Sequence, residues 1–187
     1  MSGSWVGNSV NVSENRAYIT GAGTQPDNTD WGLQIFDISD PESPEVINQA
    51  ATGVNVFGRR AYVIQEYENA LTVDIDDSST PIVVGIVKPS GFVCGLEVIN
   101  NVMVVASSIS GLEIYDAEDP RPSLVQGVVS LQGAEGIDIE GQYAYVANWS
   151  GLHLVDVRYP RAPQLLKSVD IPGGAKAVEV MTWENYV

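Results

Sequence analysis

The 187-residue chain reads as an all-β protein, a β-propeller of four-stranded antiparallel blades with about four and a half repeats present. Three observations predict this. One pattern recurs along the sequence, marked by Tyr18, Tyr62, Val104 and Tyr145 at spacings of 41 to 44 residues, with Tyr186 as the next match. Such a period denotes units that bury their faces against one another. Each copy holds four short runs of strand character, and no stretch carries a convincing helical period. The links between runs are short, which favours antiparallel neighbours, because a parallel crossover needs a dozen or more residues.

The copy from Gly136 to Pro163 shows the elements most plainly. Its first run is Gly136–Glu140, turning at Gly141-Gln142 into Tyr143–Ala147. Asn148–Gly151 leads to Leu152–Val157, and the Arg158–Pro163 turn leads to Gln164–Val169. Copy one places its first run at Val10–Val12. Gly53, Gly95 and Gly136, with Ser9 and Ala177 in register, begin the innermost runs, where small residues suit a crowded centre. Gly32, Gly111 and Gly151 precede the third runs, where a turn calls for positive φ or close backbone approach. Asn69 holds that place in copy two and is expected to adopt the left-handed conformation. Pro44, Pro81 and Pro163 precede the fourth runs, where a missing N–H does little harm. The expected organisation is one β-propeller domain or fragment over 1–187, with repeats at about 7–50, 51–92, 93–133 and 134–174 and a partial copy at 175–187. Four copies give about 16 strands and the tail about two more. The ring expected from this count is larger than the blades present.

Asp37, Asp74, Asp116 and Asp156 recur at the ends of third runs. Each falls in a different repeat and precedes a turn, so the expected role is to accept backbone N–H bonds rather than to share a metal.

Composition narrows the function. The chain has 24 acidic and 9 basic residues, a net charge of -15. That surface repels nucleic acid phosphates and anionic lipid. No apolar run approaches the roughly 20 residues of a membrane helix, and the opening MSGSWVGNSV has no signal-peptide pattern. The single cysteine, Cys94, excludes an internal disulfide.

The recurring YAYV, GL-x-I-V-D and D-P-x-x-P elements, as at Tyr143–Val146, Gly151–Asp156, Gly32–Asp37 and Asp40–Pro44, resemble the LVIVD repeat family. The resemblance covers nearly the whole chain. It implies a β-propeller of bacterial and archaeal surface or secreted proteins, an interaction module with no shared catalytic constellation. Ser78, Ser123 and Tyr159 depart from the motif, so the repeat turns are not equivalent.

Positions where copies disagree are the candidates for binding. An insertion at Gly21–Trp31 lengthens the second turn of copy one and offers Asp27, Asn28, Asp30 and Trp31. Its oxygen ligands suit Ca²⁺, although the spacing is not that of an EF-hand; no other cofactor is indicated. Tyr67 and Trp149 occupy the equivalent turns, and with Trp31 they form an aromatic rim or cover neighbouring blades. Asn11, Asn55, Glu97, Asp138 and Glu179 recur on first runs, facing a central channel or bonding between blades. His153 alternates with Leu152 and Leu154, which places it on an exposed strand face. Cys94 is expected to pack against a neighbour. Asn148-Trp149-Ser150 matches a glycosylation pattern, but a three-residue match carries little weight. The expected function is a non-catalytic, extracellular or cell-surface binding module for a protein or carbohydrate, completed by the remainder of a parent chain or by a homo-oligomer. The alternative is a glycan hydrolase using dispersed carboxylates.

Overall fold

The computed structural model describes residues 5–13, 16–23, 31–37, 44–47, 53–65, 67–76, 82–118 and 125–181; at 5–9, 13, 21–23, 31–37, 44–47 and 53 it describes the backbone only. Among the described residues, sixteen strands form four sheets. The first holds β1 (Trp5–Ser13), β2 (Arg16–Gly23), β3 (Trp31–Asp37) and β4 (Pro44–Ile47). The second holds β5 (Gly53–Phe57), β6 (Arg60–Gln65), β7 (Asn69–Asp74) and β8 (Ile82–Val87). The third holds β9 (Val93–Ile99), β10 (Val102–Ser107), β11 (Gly111–Asp116) and β12 (Gly127–Ser130). The fourth holds β13 (Ala134–Glu140), β14 (Tyr143–Asn148), β15 (Gly151–Asp156) and β16 (Gln164–Asp170). Each sheet is an antiparallel meander in chain order. These are blade-like units, as the repeat predicts.

The core lies between sheets. Val104, Leu112, Ile114 and Val129 of the third sheet bury against Ile137, Ala144, Val146 and Val155 of the fourth. Tyr62, Ile64 and Ala70 of the second meet Leu96, Val98, Met103 and Val105 of the third. Tyr18 of the first packs with Ala61, Val63, Leu71 and Val73 of the second. A blade therefore buries both faces, and its central strands are apolar on both sides.

The recurrent aspartates close turns. The Oδ1 atoms of Asp74, Asp116 and Asp156 accept the backbone N–H two residues on, at 2.9–3.0 Å. Asp156 also holds the Arg158 guanidinium at 2.5 Å. The third-strand glycines serve close approach as well as conformation. Gly111 and Gly151 have φ of +93° and +145°. A Cβ on Gly151 would stand 2.1 Å from the Val169 carbonyl oxygen.

Three expectations need correction. Asn69 does not take the left-handed conformation; in that turn Tyr67 does, with φ +61°. The turn of the second sheet runs from Gln65 to Asn69, whereas that of the fourth spans only Asn148 to Gly151. The longer turn moves the left-handed residue forward. His153 is buried, not on an exposed face, because β15 faces the third sheet on the side that carries His153. Residues 171–181 contain no strand, so the expected first strand of a fifth copy is absent there. The segment nevertheless lies against β13, with Ala177 close to Gly136 and the Val180 N–H donating to Asp138 at 2.5 Å.

Candidate functional site

In a meander of four strands, the second-to-third turns and the crossings into the next sheet emerge at the same end. That end is held as one belt. Val93 N–H donates to the Tyr67 carbonyl at 2.6 Å, Ser108 N–H to Phe92 and Gly133 N–H to Ser108, both at 3.0 Å. Asn148 Nδ2 continues it to the Gln132 carbonyl at 3.1 Å, and Ala175 N–H reaches the Asn148 carbonyl at 2.8 Å. The loops of three sheets are thus cross-braced.

Four exposed apolar side chains stand on this belt: Tyr67, Phe92, Ile109 and Trp149. Tyr67, Ile109 and Trp149 each lie two residues before the third-strand start at Asn69, Gly111 or Gly151. Trp149 lies against Gly133, where a Cβ would stand 2.7 Å from the ring. Its indole N–H donates to Glu135 at 2.5 Å, yet the residue is 70% exposed. The ring is fixed along one side and open elsewhere.

The turn beneath Trp149 explains its placement. Asn148 Oδ1 accepts from the N–H groups of Ser150 and Gly151 and from the Ser150 hydroxyl, at 2.8–3.0 Å. It also meets His153 Nε2 at 2.8 Å, while His153 Nδ1 meets the Ser168 hydroxyl at 2.8 Å. Since Asn148 Oδ1 can only accept, His153 carries its proton on Nε2 and Nδ1 accepts from Ser168. Burial keeps His153 below the usual imidazole pKa, against the opposing pull of Asp170. Asn148 is buried with both ends of its amide engaged, so the glycosylation pattern there is occupied by the turn.

Behind the rim lies a cavity of about 350 Å³ between inner strands, with Tyr67, Cys94, Glu97, Glu135, Ile137 and Lys176 among its lining. β-Bulges shape it. The register of β9 on β10 skips Cys94, and that of β13 on β14 skips Glu135. A bulge re-aims the extra side chain, which delivers Glu135 to Trp149. The inner polar series bonds between sheets: Asn55 Nδ2 donates to Glu97 Oε2 at 2.5 Å. Burial, with nearby Asp138, pushes the Glu97 carboxyl up to about 7, against the opposing effect of Asn55. Asn55 Oδ1 is buried without a hydrogen-bond partner among the described residues. Burial, with Glu135 nearby, raises the Cys94 thiol, a setting opposite to that of an activated nucleophile.

Of the sequence candidates, Tyr67 and Trp149 both stand at this end, on the second and fourth sheets. Trp31 begins β3, and its side chain lies outside the described residues, as do Asp27, Asn28 and Asp30 entirely. Sequence reading missed Phe92 and Ile109. Ile109 had a signal, its place two residues before the turn glycine; Phe92 had none, because it sits on a crossing rather than in a recurring turn. Among the described residues, no three His, Cys, Asp or Glu side chains converge to hold a metal ion, and no helix is long and apolar enough to cross a membrane.

Four blade-like sheets carrying a braced loop rim define a repeat protein of propeller type. The chain belongs to the LVIVD repeat family, whose model matches residues 7–52, 48–88 and 133–171. It is similar in fold to apo AztD from Citrobacter koseri, with a TM-score of 0.64 at 10% identity, covering 91% of this chain and 48% of that one. The computationally designed Ika8 protein gives 0.57 at 9% identity, covering 94% and 65%. The designed Ika4 protein gives 0.56 at 8%, covering 86% and 90%. The chain spans about half the length of the AztD chain. No curated protein sequence matches it.

Proposed function

We propose that this chain is a non-catalytic interaction module that binds a protein or carbohydrate through the Tyr67, Phe92, Ile109 and Trp149 rim. One observation carries the reading: exposed apolar side chains recur at one turn position on a belt of cross-sheet hydrogen bonds. Rigid aromatic anchors lose little conformational freedom on binding, and such residues dominate interface energies. The hydrolase alternative has the paired setting of Glu97 and Glu135 on one cavity in its favour. However, Asn55 occupies one Glu97 oxygen, and Glu97 belongs to a series that ties sheets together.

We further propose a single domain whose sheets are successive blades of a ring larger than four. Val10 and Val12 of β1 are 62% and 60% exposed, while their repeat equivalents Leu96 and Val98 are 6% and 8% exposed. At the other end Val169 is 47% exposed, while its equivalent Val129 is 8% exposed. Both outer faces are thus patterned for a further blade. Extracellular or cell-surface placement accompanies this reading, supported by family membership and the acidic surface.

Selection of peptide binders and a glycan array test the rim. Binders are expected to lose at least tenfold affinity against Trp149→Ala and Tyr67→Ala, about 1.4 kcal/mol or more. Binders indifferent to both substitutions would overturn the rim reading. Hydrolysis of aryl glycosides that depends on Glu97 and Glu135 would replace it with the enzyme reading.

A further inference from the structure

We infer that the groove between the third and fourth sheets, at the end opposite the aromatic rim, receives an arginine side chain of a partner protein. The repeat carries this assignment, because the groove before it is filled by an arginine of this chain. Arg60 begins β6, and its Nη1 crosses to the third sheet, donating to the Ala117 carbonyl at 2.6 Å and to the Glu118 carbonyl at 3.0 Å. The Tyr62 hydroxyl donates to the same Ala117 carbonyl at 3.3 Å. A guanidinium and a phenol of one sheet thus close over the aspartate turn of the next.

One sheet further on, both donors are replaced. Copy one repeats the arginine as Arg16, but the third sheet carries Val102 in the place of Arg60 and Val104 in the place of Tyr62. A valine side chain has nothing to donate. The receiving turn is preserved. Val157 N–H donates to the Gln142 carbonyl as Ala117 N–H does to Asn101. Arg158 N–H reaches Asp156 Oδ1 as Glu118 N–H reaches Asp116 Oδ1. By this register the Val157 and Arg158 carbonyls take the places of those of Ala117 and Glu118, and Val102 and Val104 supply them no donor. Beside them lies a cavity of about 640 Å³, with Val102, Val157 and Arg158 among its lining. That volume exceeds one arginine side chain, leaving room for the flanking backbone of a partner.

The remaining wall suits a guanidinium. Ile99, Val102 and Val157 offer hydrocarbon to a methylene stem. Tyr143 supplies an aromatic ring of the kind on which a guanidinium stacks. Glu140, exposed on the same lining, adds negative charge. Arg158 is the one cation of the lining, and its own charge is paired: Nη2 and Nε donate to Asp156 Oδ2 at 2.5 and 3.0 Å. A net charge of -15 further favours a basic partner. Lysine is the poorer fit, because its compact, strongly hydrated ammonium lacks the planar fork that serves two neighbouring carbonyls and keeps further N–H donors for a carboxylate.

Titration of the intact chain with N-acetyl-arginine-methylamide, followed by NMR, tests this. Saturable binding is expected, with shifts centred on Val102 and on Val157 to Tyr159. Val102→Arg should melt at a higher temperature and bind the probe at least tenfold more weakly, because the chain then fills its own groove. Trp149→Ala and Tyr67→Ala should leave the affinity unchanged, so this site and the rim stand or fall separately. The citrulline analogue, which keeps the shape without the charge, and the lysine analogue should each bind at least tenfold more weakly. Absence of saturable binding overturns the proposal. So do shifts centred elsewhere, equal binding of either analogue, or a folded Val102→Arg variant with undiminished affinity. Tighter binding of free arginine than of the blocked probe would overturn the partner-protein source. If Val102→Arg does not fold, the shift map and the two analogues on the parent chain decide between the same outcomes.

Discussion

Two ionisable side chains, the half-buried Glu97 and the buried His153, give the protein opposing pH responses. Glu97 ionises near 7 in the fold against an ordinary value of 4.5. The folded state therefore binds the Glu97 proton more tightly. Its contribution to stability is fully present below about 4.5 and is lost as pH rises from there through 7. Glu97→Gln should remove this loss and raise the denaturation midpoint above pH 7, leaving the midpoint at acidic pH little changed. His153 has a lowered pKa, so folding favours its neutral form. That contribution is present above about 6.5 and declines as pH falls toward the folded value. His153→Gln should flatten the decline, since copy one carries Gln34 at this position. His153→Leu should destabilise by about 1 kcal/mol by removing the hydrogen bonds to Asn148 and Ser168, a net loss of ordinary hydrogen-bond size. Urea midpoints across pH would separate the two groups. A His153→Gln profile identical to the parent's would remove His153 as the source of the acid limb. The sequence concealed this histidine for a physical reason. Alternation on a strand does not say which face meets water, and in β15 the His153 side faces the third sheet while Leu152 and Leu154 lie on the less covered side.

At the scale of turns and strands, periodicity made much of the architecture readable. The aspartate turns and third-strand glycines repeat because each blade solves the same closure problem. Gly151→Ala should be among the most damaging single-methyl changes. Its Cβ would meet the Val169 carbonyl oxygen at 2.1 Å on a backbone at φ +145°, and backbone strain of this kind costs on the order of 1–3 kcal/mol before the clash is added. Gly141→Ala is the control. It has φ +61° but nothing within 4 Å, so it should cost only about 1 kcal/mol. Equal midpoints for the two variants would show that β15 and β16 do not approach as closely as described. The bulges at Cys94 and Glu135 were not legible, because an extra residue in a ladder changes where a side chain points without leaving a period. They build the cavity, so the fold could be read from the sequence further than the site. Phe92 illustrates the same limit: the crossing that carries it has no recurring partner to reveal its place on the rim.

Among the described residues, the first and fourth sheets carry exposed apolar side chains on their outer faces, Val10 and Val12 at one end and Val169 at the other, and this governs how stability should respond to extension. In stacked repeats, stability is roughly the sum of each unit and its interfaces. Three interfaces are filled among the described residues. The fourth sheet offers Tyr145, Leu152, Leu154 and Val169 where the third offers Val104, Leu112, Ile114 and Val129, and its face is less deeply covered. Residues 175–181 lie along the inner edge of that face, where Leu154 and Val169 remain partly or largely exposed. Appending the sequence of Ala147–Asp170 after Val187 supplies third and fourth strands in repeat register, because Val187 corresponds to Val146. If the ring reading holds, the appended strands pair with the tail and cover Leu154 and Val169. Burying such side chains contributes about 1.5–3 kcal/mol each when complete, less here because they start partly covered. The extended chain should unfold at higher denaturant and with a steeper dependence on it, since more surface is buried. A control carrying the same appended residues in scrambled order separates pairing from mere length. An extended chain with the midpoint and slope of its scrambled control would show that the array does not grow from the fourth sheet, and the larger ring would fall with it.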